Sequence, residues 1–361
     1  MRQRSARNLH STRDVASTRT LHRALLTWYD EHKRDLPWRK TRDPWAIWVS
    51  EIMLQQTRVD TVIPYYERFL TRFPTPLALA EAGEDEVLAH WSGLGYYRRA
   101  RLLHAGARDV VDRASLPSTW AELLMVPGIG RYTAGAVASI AYGERVGLVD
   151  GNVARVFARL FGIDEDMRGV GMKTAEKLAD EIVSEERPGD WNQALMELGA
   201  TICTPRAPAC ERCPLSRECV ALRTKQVDEL PKLSAKAPPK SKQLHVLVMT
   251  LPDSQIVLGR RSGSGLFGGL WEPLSVEGSR AAMTKFSRTL DAREITLAGR
   301  VTHILSHQRL EVLVYRACLS RVPDAKGLPP RYERVSAFSA ERLEGLGIST
   351  LTRKVLAAAG H

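Results

Sequence analysis

The 361-residue chain has no apolar run long enough to cross a bilayer and no hydrophobic stretch of signal-peptide form. A helical membrane protein is therefore excluded, and nothing in the chain reads as secreted. Cysteine is scarce outside one short stretch: of five, only Cys318 lies beyond residues 203–219. A disulfide framework spread through the fold is excluded by that distribution. Cys318 falls in an alternating apolar run and is expected to fill core space. The first two thirds of the chain also lack a charge excess. Residues 1–225 carry 32 basic and 29 acidic side chains, a balance of +3, whereas residues 226–361 carry 20 and 12, a balance of +8. The net charge of +11 is thus no uniform basic coat. A polyanionic partner of the first part would have to be held by local clusters such as Arg98, Arg99 and Arg101.

What is present begins with Cys203, Cys210, Cys213 and Cys219, spaced C-x6-C-x2-C-x5-C within 17 residues. Four thiolates around one point suit a tetrahedral sulfur site, zinc or a four-iron cluster. The six-residue gap is too wide for the usual paired zinc-ribbon spacing and favours iron–sulfur. Two disulfides are the alternative, disfavoured where thiols stay reduced.

The length suggests two domains. Residues 1–20, rich in Arg and Ser with one acid, read as a disordered basic tail, although a transit peptide has similar composition. From Leu21 to about Cys219 the periodicity is helical, within a first domain of residues 21–224. Trp45, Trp48, Val49, Ile52, Met53 and Gln56 form one stripe, Thr119 with Glu122 has capping-box form, and Asp190 with Gln193 has a looser version. Residues 225–243 are Lys- and Pro-rich and read as an extended linker. In residues 244–361, His245–Thr250, Gln255–Gly259 and Leu310–Val314 look like strands, and Leu343–Ala359 closes as a helix.

The segment Leu123–Ser139 has an apolar helix end, Pro127-Gly128-Ile129-Gly130, then a helix of small residues. Gly128 and Gly130 allow a tight turn, and the free N–H groups of the following helix form a phosphate seat. This is the form of a helix-hairpin-helix, which holds DNA backbone without reading sequence. Asp150 follows Gly130 by twenty residues, in Val149-Asp150-Gly151-Asn152-Val153, a helix N-cap context in which a carboxylate is expected to stay ionised.

Hairpin, aspartate and four-cysteine loop, in that order, resemble the helix-hairpin-helix DNA glycosylases that carry an iron–sulfur cluster. Where the endonuclease III branch has its Schiff-base lysine, this chain has Tyr132, and a phenol forms no imine. Ser50-Glu51-Ile52-Met53-Leu54-Gln55-Gln56-Thr57, Gly93-Leu94-Gly95-Tyr96-Tyr97 and Val149–Val153 resemble the MutY-type adenine glycosylases, as does a second domain after a Pro/Lys linker. The implied fold is a mainly α helix-hairpin-helix glycosylase domain with an iron–sulfur cluster loop at 203–219, plus an α+β MutT-like (Nudix-like) C-terminal domain.

The resemblance implies hydrolysis of the N-glycosidic bond of adenine opposite 8-oxoguanine or G in double-stranded DNA, by a monomer. Free thiols make the cytoplasm, at the nucleoid, the default location. The resemblance makes Glu51 the general acid and base and Asp150 the stabiliser or covalent trap of the oxocarbenium sugar. Tyr132 and Asn152 then orient them. Glu51 must hold a proton near neutral pH, which burial would favour. The target base has to leave the helix stack. Gln56 and Thr57 resemble the wedge beside it, and Tyr96 the aromatic near the opposing base, with Arg98 and Arg99 facing phosphate. Ser306 and His307 match the pair that contacts 8-oxoguanine, although Leu305 stands where the family usually has Phe. The four cysteines would hold a 4Fe-4S cluster. Residues Glu272–Ile295 lack the paired glutamates of a working pyrophosphatase. Gly263-x-Gly265-x-x-Gly268 fits a dinucleotide fingerprint but precedes no helix pattern, and Gly169–Ala175 reads as a helix start. Two alternatives remain, a thymine- or uracil-mismatch glycosylase and a non-catalytic damage sensor.

Overall fold

The computed structural model describes residues 15–235, 238–305, 308–324 and 328–361. Ser306 and His307 lie outside the described residues. The chain forms two compact units. Of the described residues, one comprises 15–51 and 116–235, the other 52–115 and those from 238 onward. The expected division at 225–243 is crossed by this partition, because the helices of residues 52–115 belong with the C-terminal part.

The first unit is helical among its described residues. Its first helix begins at Val15, inside the stretch expected to be tail. Leu21, Leu25, Trp28 and Tyr29 recur at helical spacing and are buried, which anchors the helix well before its exposed end. Helix Pro44–Leu54 has buried residues on every side from Trp45 to Met53. A helix apolar all round belongs inside a core, and this one carries Glu51 there. Gln56 departs from the stripe; it lies beyond the helix and is exposed. The hairpin consists of a short helix Trp120–Leu123, capped by Thr119, and helix Arg131–Ala141. Asp190 does not cap: helix Pro188–Thr201 starts two residues earlier, and Asp190 instead pairs with Arg187 at 2.8 Å. Helix Val170–Ile182 starts at Gly169, as the sequence suggested.

The expected linker is partly strapped down. Leu230 is buried, Met167 N–H donates to Lys232 O at 3.0 Å, and Arg159 Nε donates to Leu230 O at 2.9 Å.

The second unit contains the helices of residues 59–112 and a seven-stranded sheet: β1 (Lys240–Thr250), β2 (Ile256–Arg261), β3 (Trp271–Glu272), β4 (Leu274–Glu277), β5 (Arg293–Ile304), β6 (Gln308–Cys318) and β7 (Tyr332–Phe338). The order is β3-β2-β1-β6-β5, with β4 on β1 and β7 on β2. β1 and β6 run parallel, in register from Lys240↔Gln308 to Thr250↔Cys318. β1 is buried on both faces, since Val246 and Val248 join one core while Leu247 and Met249 join another. Helix Thr350–Ala358 supplies Leu351, Val355 and Leu356 to the first, and helix Arg280–Thr289 supplies Met283 and Phe286 to the second. Both faces are thus covered by a helix, as a mixed sheet with a central parallel pair requires. Cys318, expected in the core, is exposed at the end of β6. The glycine run at 263–268 leads into β3 and not a helix.

Candidate active site

In the first unit the fold gathers Glu51, Tyr132, Asp150 and Asn152. Glu51 is 4% exposed. Tyr132, in the first turn of the second hairpin helix, donates its phenol to Glu51 Oε2 at 2.5 Å and reaches Met196 Sδ at 3.2 Å. Asp150 caps helix Gly151–Phe161, accepting from Val153 N–H at 2.7 Å and from Asn152 Nδ2 at 3.0 Å. Arg155 holds Asn152 in turn, donating to its Oδ1 at 2.9 Å and to Gly199 O at 2.7 Å. Gly199 permits this approach: a Cβ there would lie 2.7 Å from the Asn152 Cβ.

Burial raises the Glu51 carboxyl to about 7; the Tyr132 bond opposes this, and the Asp150 charge adds to it. The physical cause is removal of the carboxylate from water by the surrounding apolar helix. Asp150 is also raised by burial, against the pull of the Val153 and Asn152 N–H groups and the Asn152 side chain. The expected helix-end effect therefore does not hold Asp150 below its ordinary range. The two differ in their donors. Asp150 receives N–H bonds from a backbone amide and a carboxamide, whereas Glu51 receives one phenol. Of the pair, Asp150 is better equipped to carry charge.

In the same unit, buried Glu197 accepts from Arg34 at 2.7 and 2.8 Å and from Arg39 at 2.8 Å. Burial opposes its ionisation, but the two guanidinium groups hold it down at about 2. A 160 Å³ cleft nearby is lined by Trp38, Arg39 and Arg187, among others, and contains none of the gathered side chains. Its Arg39 and Arg187 already engage carboxylates.

The hairpin turn has Gly128 at φ +83°, where a side chain would be strained. Gly130 has an ordinary φ of −94°, and its Cβ position faces open space. Met125, at the same turn, is 70% exposed.

Cys203, Cys210, Cys213 and Cys219 are free thiols of intermediate burial. Among the described residues, no three His, Cys, Asp or Glu side chains are gathered as a metal-ligand set, so the sulfurs are not drawn around one point. Their chemistry nonetheless fits a soft cluster. Burial, with a smaller push from the neighbouring thiols, raises Cys213 to about 12. Arg159 Nη1 donates to Cys203 Sγ at 3.4 Å. The Cys210, Cys213 and Cys219 thiols are raised chiefly by burial, and a soft cationic cluster would offset that cost on an all-sulfur donor set.

Gln56, Thr57 and Tyr96 lie in the second unit. Gln56 and Tyr96 are exposed and both have positive φ, 56° and 50°. Arg99, expected to face phosphate, is 8% exposed and turned inward, donating to backbone carbonyls. Sequence reasoning missed Arg155, Gly199 and Met196 as neighbours of the gathered side chains, and it placed Arg99 on the wrong face. For Arg99 a signal existed: it shares a buried helical stripe with Leu103, Ala107 and Val110.

Hairpin, capped aspartate and buried glutamate define a base-excision glycosylase scaffold followed by a Nudix fold, and comparison with known proteins agrees. Residues 49–183 match the HhH-GPD superfamily base excision DNA repair protein family, and residues 245–358 match the NUDIX domain. The adenine DNA glycosylase of Homo sapiens is 36% identical over 420 residues, covering 98% of this chain and 76% of that one. The adenine DNA glycosylase of Mus musculus is 38% identical, covering 91% and 76%. The solved structure of a thermostable thymine-DNA glycosylase is 30% identical, with TM-score 0.54, over 58% of this chain and 98% of that one. The chain belongs to the adenine DNA glycosylase family and is a DNA glycosylase of base excision repair. No helix among the described residues is long and apolar enough to cross a membrane.

Proposed function

We propose that this chain hydrolyses the N-glycosidic bond of adenine opposite 8-oxoguanine or G in duplex DNA, as a monomer, leaving an abasic site. The observation that carries the reading is the buried Glu51 carboxyl, raised to about 7 and held by Tyr132. Glu51 gives its proton to N7 of the extruded adenine. The C1′–N9 bond breaks, its electron pair leaves with the neutral base, and the sugar becomes an oxocarbenium cation. Asp150, ionised, stabilises that cation or traps it covalently. Glu51, now a carboxylate, takes a proton from water as the water oxygen attacks C1′. Tyr132 and Asn152 orient the two carboxyl groups. Two acids whose environments differ, one kept protonated and one charged, suit this division of work.

Gly128 and Gly130 seat a phosphate, Gln56 and Thr57 act as the wedge beside the extruded nucleotide, and Tyr96 enters near the opposing base. Ser306 and His307 read 8-oxoguanine. In functional terms residues 21–224 form the glycosylase domain, 225–243 the linker and 244–361 the lesion-reading domain. Cys203, Cys210, Cys213 and Cys219 would hold a 4Fe-4S cluster, which orders their loop and transfers no electron in hydrolysis.

The test is a single-turnover assay on a duplex with adenine opposite 8-oxoguanine, with and without alkali, beside Glu51→Gln. Strand scission only after alkali, lost in the variant, is expected. Scission without alkali together with a borohydride-trapped adduct would overturn the monofunctional reading. Full activity in the variant would remove Glu51 as the acid.

A further inference from the structure

The groups expected to enter DNA sit on two turns of the second unit, and one buried side chain joins them. Arg99 Nη1 donates to Ile52 O at 2.8 Å, Met53 O at 2.9 Å and Gln55 O at 2.5 Å. Arg99 Nη2 donates to Thr57 Oγ1 at 3.2 Å and Gly95 O at 3.3 Å. None of these acceptors is a carboxylate, so the guanidinium forms no ion pair there. Its planar face lies against two rings, Tyr96 at 5.1 Å and Trp91 at 5.7 Å. Burial lowers its pKa to about 10, and it stays charged at neutral pH.

Three of the five acceptors are carbonyls at or just beyond the end of helix Pro44–Leu54. A helix end leaves such carbonyls without partners, and a cation there also meets the negative end of the helix dipole. On the other side, Gly95 O also accepts from Trp91 Nε1 at 3.1 Å. The two turns are held in backbone conformations that side chains avoid, with Gln56 at φ 56° and Tyr96 at φ 50°. Such conformations persist where surrounding contacts over-determine them. Arg99 supplies those contacts to both turns from one rigid fork.

We propose that Arg99 is the positioning residue that locks the Gln55–Thr57 turn and the Gly95–Tyr96 turn into a single DNA-probing edge, so that wedge and aromatic are presented together. The proposal rests on the reading above that Gln56, Thr57 and Tyr96 enter the duplex. Lysine would keep the charge but has no planar fork to span five acceptors.

The test uses the full chain and compares Arg99→Lys with Tyr96→Ala and the double variant. Affinity is measured for a duplex with adenine opposite 8-oxoguanine and for an undamaged duplex. Hydrogen exchange of the DNA-free proteins is followed at residues 54–58 and 93–97. Arg99→Lys is expected to weaken mismatch affinity about tenfold to a hundredfold, the range of losing a charge-assisted hydrogen bond. Undamaged-duplex affinity should stay within about twofold, and exchange should quicken in both turns together. The double variant should bind the mismatch more weakly than Tyr96→Ala alone, because Arg99 also holds the Gln55–Thr57 turn, but by less than the sum of the two single losses, because part of the Arg99 effect runs through Tyr96. Unchanged mismatch affinity, faster exchange in only one turn, or equal loss on both duplexes would overturn the proposal. Should Arg99→Lys fail to fold, Thr57→Val against Thr57→Ser decides: only the valine is expected to quicken exchange at Gly95–Tyr96, and equal exchange in both would refute the lock. If Tyr96→Ala keeps full mismatch selectivity while Arg99→Lys quickens exchange in both turns, the DNA-entry reading fails and the lock stands.

Discussion

Replacing Glu51 with Gln should stabilise the protein above pH 7, even though it abolishes excision. Glu51 titrates at about 7 in the folded chain against 4.5 for an unperturbed carboxyl. Between those values the folded state binds a proton that the unfolded chain has released. Stability from this group is therefore fully present below pH 4.5 and is lost as pH rises through 7. With 1.36 kcal/mol for each pH unit of separation, the loss amounts to about 3 kcal/mol. No discount for solvent screening applies, because Glu51 is 4% exposed. Gln cannot ionise, so the variant escapes the loss. Urea unfolding of both proteins at pH 4.5 and pH 8.5 measures it. The stability difference should move by about 3 kcal/mol in favour of Gln between the two. A difference that stays flat would refute the claim that Glu51 is a buried acid held protonated near neutrality. The excision rate follows the same group: the wild-type single-turnover rate should fall about tenfold per pH unit above 7. Tyr132→Phe removes a bond that favours the carboxylate, so its alkaline limb should move to higher pH.

Other outcomes follow from the same packing. Glu197→Gln leaves Arg34 and Arg39 without their shared carboxylate and should cost about 3–5 kcal/mol in thermal unfolding. In the wild type the Glu197 contribution is present above pH 4.5 and should be lost as pH falls toward 2. Gly199→Ala puts a Cβ against Asn152 and should cost about 1–3 kcal/mol. Its excision rate should fall by about tenfold or more through displacement of Asn152 beside Asp150, with DNA affinity kept. Cys213→Ser should lower bound iron and absorbance at about 400–420 nm, read on purified protein by iron assay and spectrum.

Several local features of the candidate site were legible because they rest on local signals. The glycine turn, the Asp150 cap and the Glu51 stripe each need only a few neighbouring residues to be recognised. Strands β1, β2 and β6 were visible for the same reason, as apolar runs. β5 was not: most of it is exposed, and its pairing with β6 decides its structure. The residues around Leu230 looked like free linker because Lys and Pro dominate there, while the partners that hold them lie some seventy residues earlier. Arg99 was misread by residue type. An arginine beside two tyrosines suggests phosphate, yet its place on the Leu103 face of the helix points it inward. Cys318 was misread by position, since the buried pattern of β6 ends on Ala317.

The most direct test of the central claim is excision from three duplexes, adenine opposite 8-oxoguanine, adenine opposite G and thymine opposite G, by wild type and Glu51→Gln. Release of adenine from the first two by wild type, absent in the variant, is the predicted result. Release of thymine alone, or adenine release that survives in the variant, would contradict it.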